Sequence, residues 1–354
     1  MLHVDRFADG HMHAYAPKAD TYRVFDKMVS LGVTDAALLA YTYIETGIDN
    51  NIVCLHYKAD YQKMRLRTFG GLYYDPDLNN SIIPFKEQAE LLLEMGCDGI
   101  KFLDMKPNYN LYCGCNMDDP VYDAMYDMLE AREIPLVCHI ADPSAFWHRE
   151  RMKPSAVAMG WCFEDPKFLT QQQCFDSLLH RLEKNPKLKL SLAHFGFLTE
   201  RLELCHRICE TYPNVLFDLA PAWEIFADFG RDVRGWRDFF QKYNHRILYG
   251  TDTATVHSDA LVAARHRTVV EALSHDESEL PIPHSPEAVM RGLDLDEESQ
   301  RRICHDNYFS FMGPEPAPLN RPLIREHAGL ILSIAQKNGD SAMIGTIRAA
   351  LEDI

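Results

Sequence analysis

Eight short runs of β-forming residues alternate with segments of helical spacing along most of this chain, at residues 6–13, 35–41, 68–74, 98–103, 135–141, 188–195, 215–219 and 246–252. Between them, Phe85, Ala89, Leu92, Leu93 and Gly96 share one helical face. Tyr122, Met125, Tyr126 and Leu129 share another, and Phe175, Leu178, Leu179 and Leu182 a third. Asp119 followed by Pro120 has the form of a helix N-cap with proline in the first turn. Strands joined through helices must run parallel, because a parallel neighbour is reached only by a crossover. An open doubly wound sheet would carry a glycine-rich turn after its first strand, and none is present. Eight strands suit closure, so the sequence predicts an α/β fold, a (β/α)8 TIM barrel.

The pattern changes after residue 275. A proline-containing stretch at 280–286 reads as a linker to a helical segment at 296–312. A second proline-rich stretch, 313–322, precedes helices at 323–337 and 341–351. The expected organisation is a barrel domain over residues 1–312 and a C-terminal helical extension, 313–354, packed on it. Two connections, 104–119 and 142–170, are too long for simple turns and lie on the barrel face where function is built.

Composition narrows the function classes. The net charge is −16 and no basic stripe is present, which argues against nucleic acid as a partner. No apolar run approaches the roughly eighteen residues of a membrane span, so no membrane partner is expected. The N-terminal MLHVDRFADG lacks a secretory pattern. The ten cysteines follow no framework spacing and read as thiols in a reducing compartment, which points to the cytoplasm. The expected partner is a small-molecule substrate. A homodimer is expected only as the commonest assembly of soluble proteins.

The strongest local signal is DGHMH at residues 9–13. Residues two apart on a strand face the same side, so His11 and His13 can grip one ion. By itself His-x-His is weak. It gains weight because His139 ends the fifth run, His194 the sixth and Asp252 the eighth. Strand ends converge around the axis of a barrel, which makes these five residues neighbours. Three imidazoles and a carboxylate leave positions open for water, as catalytic rather than structural metal sites do. Asp252 can carry a proton, and His194 is placed to stabilise an oxyanion. Asp9 shares the inward face and can orient a ligand. Asp142, Trp147, Trp223 and His257 sit in connections that reach a substrate. Lys101, in DGIKF of the fourth run, points to the barrel mouth.

These residues resemble the amidohydrolase superfamily, and within it the branch of decarboxylases, lactone hydrolases and hydratases. The resemblance rests on HMH, His139, His194, the Thr251-Asp252 pair and the helix RRICHDNYFSFMG at 301–313. It implies His11, His13, His139 and Asp252 as metal ligands, with Asp252, His194 and Lys101 in catalysis. It implies a divalent cation, zinc by ligand type with manganese or iron as alternatives. One ion is expected, or two if Lys101 is carbamylated. The implied activity is hydrolysis of a small amide, lactone or ester by a metal-activated water. The alternative is nonoxidative decarboxylation or hydration of a small carboxylated substrate on the same site. The stretches after His194 (FGF) and after Asp252 (TAT) depart from the decarboxylases.

Overall fold

The computed structural model describes residues 2–15, 22–41, 50–74, 84–103 and 105–352. Nine parallel strands form one sheet: β1 (Phe7–His13), β2 (Val33–Leu39), β3 (Arg65–Gly71), β4 (Gly99–Phe102), β5 (Leu136–Cys138), β6 (Leu190–Leu192), β7 (Val215–Asp218), β8 (Ile247–Leu248) and β9 (Thr253–Ala254). Their order is β8-β7-β6-β5-β4-β3-β2-β1-β9. The short strand β9 pairs with β1 through Met12 with Thr253 and His13 with Ala254. The chain between β8 and β9 is bonded to β1 as well: Gly10 N donates to Tyr249 O (2.9 Å), and Asp252 N to His11 O (2.8 Å). Thus β8 and β9 are two pieces of one eighth strand, and its seam with β1 closes the TIM barrel.

Each β-forming run of the sequence contains or overlaps one strand, with shifted ends. β2 and β3 begin before the runs at 35 and 68, while β5 and β6 stop short of the residues that carry their histidines. β6 ends at Leu192 because the next residues leave extended geometry. His194, Phe195, Gly196 and Phe197 have φ of 54°, 55°, 62° and 52°, a left-handed run that ordinary side chains disfavour.

Side chains from alternate positions fill the barrel. Ala8, Ala37, Leu39, Phe69, Val137, Ala193, Leu216 and Leu248 pack together with Tyr308, Phe311 and Met312 of the helix Asn307–Met312. A second, larger cluster lies between the sheet and its surrounding helices. At Gly99 in β4 the fit is tight. A Cβ there would stand 2.4 Å from the Pro135 carbonyl oxygen and 2.5 Å from the Phe69 ring.

The stretch at 280–286, expected as a linker, belongs instead to an antiparallel hairpin, β10 (Glu279–Ile282) with β11 (Ser285–Arg291). Pro281 and Pro286 do not prevent it, because a two-stranded ribbon has an unpaired edge on each strand, where a missing N–H costs nothing. Ile282 and Met290 are buried, and β11 packs on the helix Trp223–Phe229. The helical segment expected at 296–312 is present as Glu297–Arg301, a π-turn at Arg302–Asp306 and Asn307–Met312. The long connections carry short helices, Pro107–Cys113 in the first and Pro154–Ala158 in the second. Asp104 lies outside the described residues.

Helices Arg321–Lys337 and Ser341–Leu351 lie against the barrel. Asn320 N donates to Met95 O (3.1 Å), His56 Nδ1 meets Ala350 O (3.1 Å), and the buried Tyr73 hydroxyl meets His327 Nε2. Among the described residues no helix is long and apolar enough to cross a membrane.

Candidate metal centre

Three imidazoles meet where the β1 seam reaches the mouth of the barrel, and each is held by its Nδ1. His11 Nδ1 donates to Asp218 Oδ2 (2.8 Å), His13 Nδ1 to Leu39 O (2.9 Å) and His194 Nδ1 to Ala220 O (3.0 Å). Carboxylate and carbonyl oxygens only accept, so these partners assign the proton to Nδ1 and leave a lone pair on each Nε2. His11 and His13 Nε2 lie 3.3 Å apart. Asp252 Oδ1 is 3.3 Å from His13 Nε2 and 3.8 Å from His11 Nε2. Donor atoms of His11, His194 and Asp252 all fall within 4.8 Å of one another. Lone pairs and a carboxylate oxygen thus converge with no proton between them. A cation relieves that repulsion, and the donor set fits a divalent one.

The electrostatics agree. Burial pushes His11 down to about 3, against the pull of Asp218, so its ring is neutral near pH 7. Burial also depresses His194. Burial would raise the Asp252 carboxyl, but the nearby Arg265 guanidinium is the largest opposing influence and the group is held well below the usual carboxylate range. Arg265 Nη1 lies 3.0 Å from Asp252 Oδ2, which leaves Oδ1 to face the histidines. Asp252 itself has a left-handed φ of 50°. Strained backbone of this kind persists where the surroundings over-determine it.

His139 lies just beyond β5, its ring centroid 5.0 Å from that of His194. Its buried Nε2 has no hydrogen-bond partner, although Asp142 Oδ1 is 3.4 Å away. Burial and the nearby Lys106 bring His139 down to about 3. Asp142 is engaged by Lys106 Nζ at 2.6 and 2.8 Å. Lys101, 2% exposed, is depressed by burial, while Asp218 and Asp252 pull the other way. Its ammonium group forms no hydrogen bond or ion pair among the described residues.

The remaining expected residues are more scattered. Trp147 is turned into its own connection, where its indole N–H donates to Leu169 O (2.8 Å) and its ring packs on Phe163. Trp223 lines a cavity of about 130 Å³ with Phe197, Glu224 and Arg151. Phe197, which lines that cavity, also stacks its ring on His194 at 5.3 Å. His257 Nδ1 accepts from Ala254 N (3.1 Å), and burial lowers it to about 4. Asp9 does not touch an imidazole. It accepts from the backbone N–H groups of His11 and Thr251 and from the Thr251 hydroxyl, and burial raises it to about 7.

Sequence reading missed Asp218, Arg265 and Lys106. Asp218 carried a usable signal, since it is the last residue of β7 and so occupies the kind of position that singled out the histidines. Arg265 and Lys106 carried none, because both lie outside the strands.

The comparisons with known proteins complete the picture. No curated protein matches the chain. Among solved structures, an uncharacterized TIM-barrel protein from Bordetella bronchiseptica is 12% identical, with a TM-score of 0.52 over 87% of this chain and 100% of its own. An amidohydrolase from Mycobacterium avium subsp. paratuberculosis is 16% identical, with a TM-score of 0.43 over 82% of this chain and 73% of its own. An amidohydrolase from Mycoplasma synoviae is 9% identical, with a TM-score of 0.45 over 94% of each chain. At these identities the first likeness speaks to the fold alone. The family model described as amidohydrolase matches residues 8–307, a span that runs from β1 into the helix Asn307–Met312. With that span matched, the chain belongs to the amidohydrolase family.

Proposed function

We propose that this protein is a divalent-metal-dependent hydrolase of a small carbonyl compound, an amide, lactone or ester. The observation that carries the reading is the convergence of His11 and His13 Nε2 and Asp252 Oδ1 with no proton to separate them. In this reading His11, His13, His139 and Asp252 hold the ion, zinc by ligand type, and His194, although its donor atom lies within 4.8 Å of those of His11 and Asp252, serves catalysis. A divalent cation bound there would acidify water and polarise the substrate carbonyl.

The chain's own residues do the rest. Asp252 Oδ1 accepts the proton released on attack and returns it to the leaving group, while Arg265 keeps the carboxylate aimed. His194, with Nδ1 committed to Ala220, presents an acceptor. It therefore meets a developing oxyanion only after Nε2 has taken a proton. Phe197 packs on His194 and limits water on that side. Trp223 and Glu224 line the space for the remote end of the substrate.

One observation favours a second reading, decarboxylation or hydration of a carboxylated substrate. The buried Lys101 has no counter-charge bonded to it, and a substrate carboxylate would supply one. Product analysis on a panel of amides, lactones, esters and carboxylic acids decides. A new acid group with no carbon lost supports hydrolysis, and release of CO2 supports decarboxylation. Metal-loaded protein inactive on the whole panel would overturn both.

A further inference from the structure

Among the described residues, Asp218 is the one carboxylate bonded both to β1 and to the turn after β6. Its Oδ2 accepts from His11 Nδ1 (2.8 Å). Its Oδ1 accepts from the backbone N–H groups of His194 (2.8 Å) and Ala220 (3.1 Å). The Ala220 carbonyl then receives His194 Nδ1–H (3.0 Å). A short segment at the end of β7 thus grips His194 by ring and backbone, and His11 by its ring. The residue is 0% exposed, so bulk solvent does not reach these bonds. The His194 backbone is left-handed, a conformation that needs such support.

We propose that Asp218 is a positioning residue that selects the tautomers of the centre. By accepting from His11 Nδ1 and fixing the turn that presents His194, it keeps both Nε2 atoms as lone-pair donors aimed at one point. The inference rests on the reading of this cluster as a metal centre, but it concerns a residue that touches neither ion nor substrate. Its consequence is specific. Asparagine has the same shape, and its carbonyl oxygen can still accept from the His194 and Ala220 N–H groups. Its NH2 then faces His11 Nδ1 and can only donate. His11 must move its proton to Nε2, where it points at His13 and removes one ligand lone pair.

The test compares wild type and Asp218→Asn as metal-free protein. Histidine 15N NMR reads the tautomers, and titration with Zn2+ and with Mn2+ reads affinity. In wild type, His11 and His194 are expected in the Nδ1–H form. In Asp218→Asn, His11 is expected to switch to Nε2–H, and affinity to fall about 10–100-fold, the usual cost of losing such a partner. A folded variant with wild-type tautomers and affinity overturns the proposal. If the variant does not fold, the wild-type spectrum decides alone, since His11 found as the Nε2–H form overturns it. Wild type that binds neither ion, with His11 still Nδ1–H, refutes the metal reading and leaves the tautomer assignment standing.

Discussion

At the scale of single residues, the centre divides into groups that face one another and groups that hold them. His139 has a buried nitrogen with no partner, and such an atom costs free energy unless something binds it. His139→Ala is therefore expected to lower bound metal and turnover together, read by elemental analysis and activity on the same preparation. His194→Ala is expected to abolish turnover while sparing metal if one ion is bound. Full activity in either variant removes that residue from the site. The histidines and Asp252 were legible in the sequence because they share one rule, a ligand type at the end of a barrel strand. Asp218 obeys the same rule and was missed because a lone aspartate is a common residue with no motif around it. Arg265 approaches from the helix Asp259–Ser274, and nothing in its local sequence points inward.

At the scale of elements, the alternation of strand and helix was readable because its periodicities differ, 2 against 3.6. The strand ends were not, since they are set by contacts distant in sequence. β6 stops at Leu192 because Asp218 and Ala220 hold the next turn, and neither is near it in the chain. The hairpin β10–β11 was hidden by its prolines. Gly99 shows how tightly β4 is fitted. Gly99→Ala forces a Cβ against the Pro135 carbonyl and the Phe69 ring, and it is expected to cost about 3 kcal/mol by urea unfolding. His327 ties the helix Arg321–Lys337 to the barrel, and burial lowers its pKa from 6.5 to about 4. The folded state keeps it neutral where the unfolded chain takes a proton. Its contribution is therefore complete above pH 6.5 and is lost as the pH falls toward 4. His327→Gln is expected to flatten the decline of Tm across that window, while an unchanged slope would assign the decline to other groups.

At the scale of the whole molecule, metal content per chain is the quantity that separates the possible centres. In the proposed reading, one ion would leave Lys101 an amine and His194 a catalytic group. Two ions are expected only with Lys101 carbamylated, which mass spectrometry under native conditions would detect. Chelation is expected to lower Tm, because a ligand that binds only the folded chain stabilises it by mass action. A Tm indifferent to chelation and to added Zn2+ would count against the centre. The eighth strand gives this coupling a further meaning. Its break between β8 and β9 holds Asp252, and its partner across the seam is β1, which holds His11 and His13. The last joint in the ring of strands is therefore also the joint that brings His11 and His13 to Asp252. In the proposed reading, a chain with seven strands assembled and the eighth astray would have no place to keep an ion, and an ion bound there would act as a clasp that certifies a finished ring.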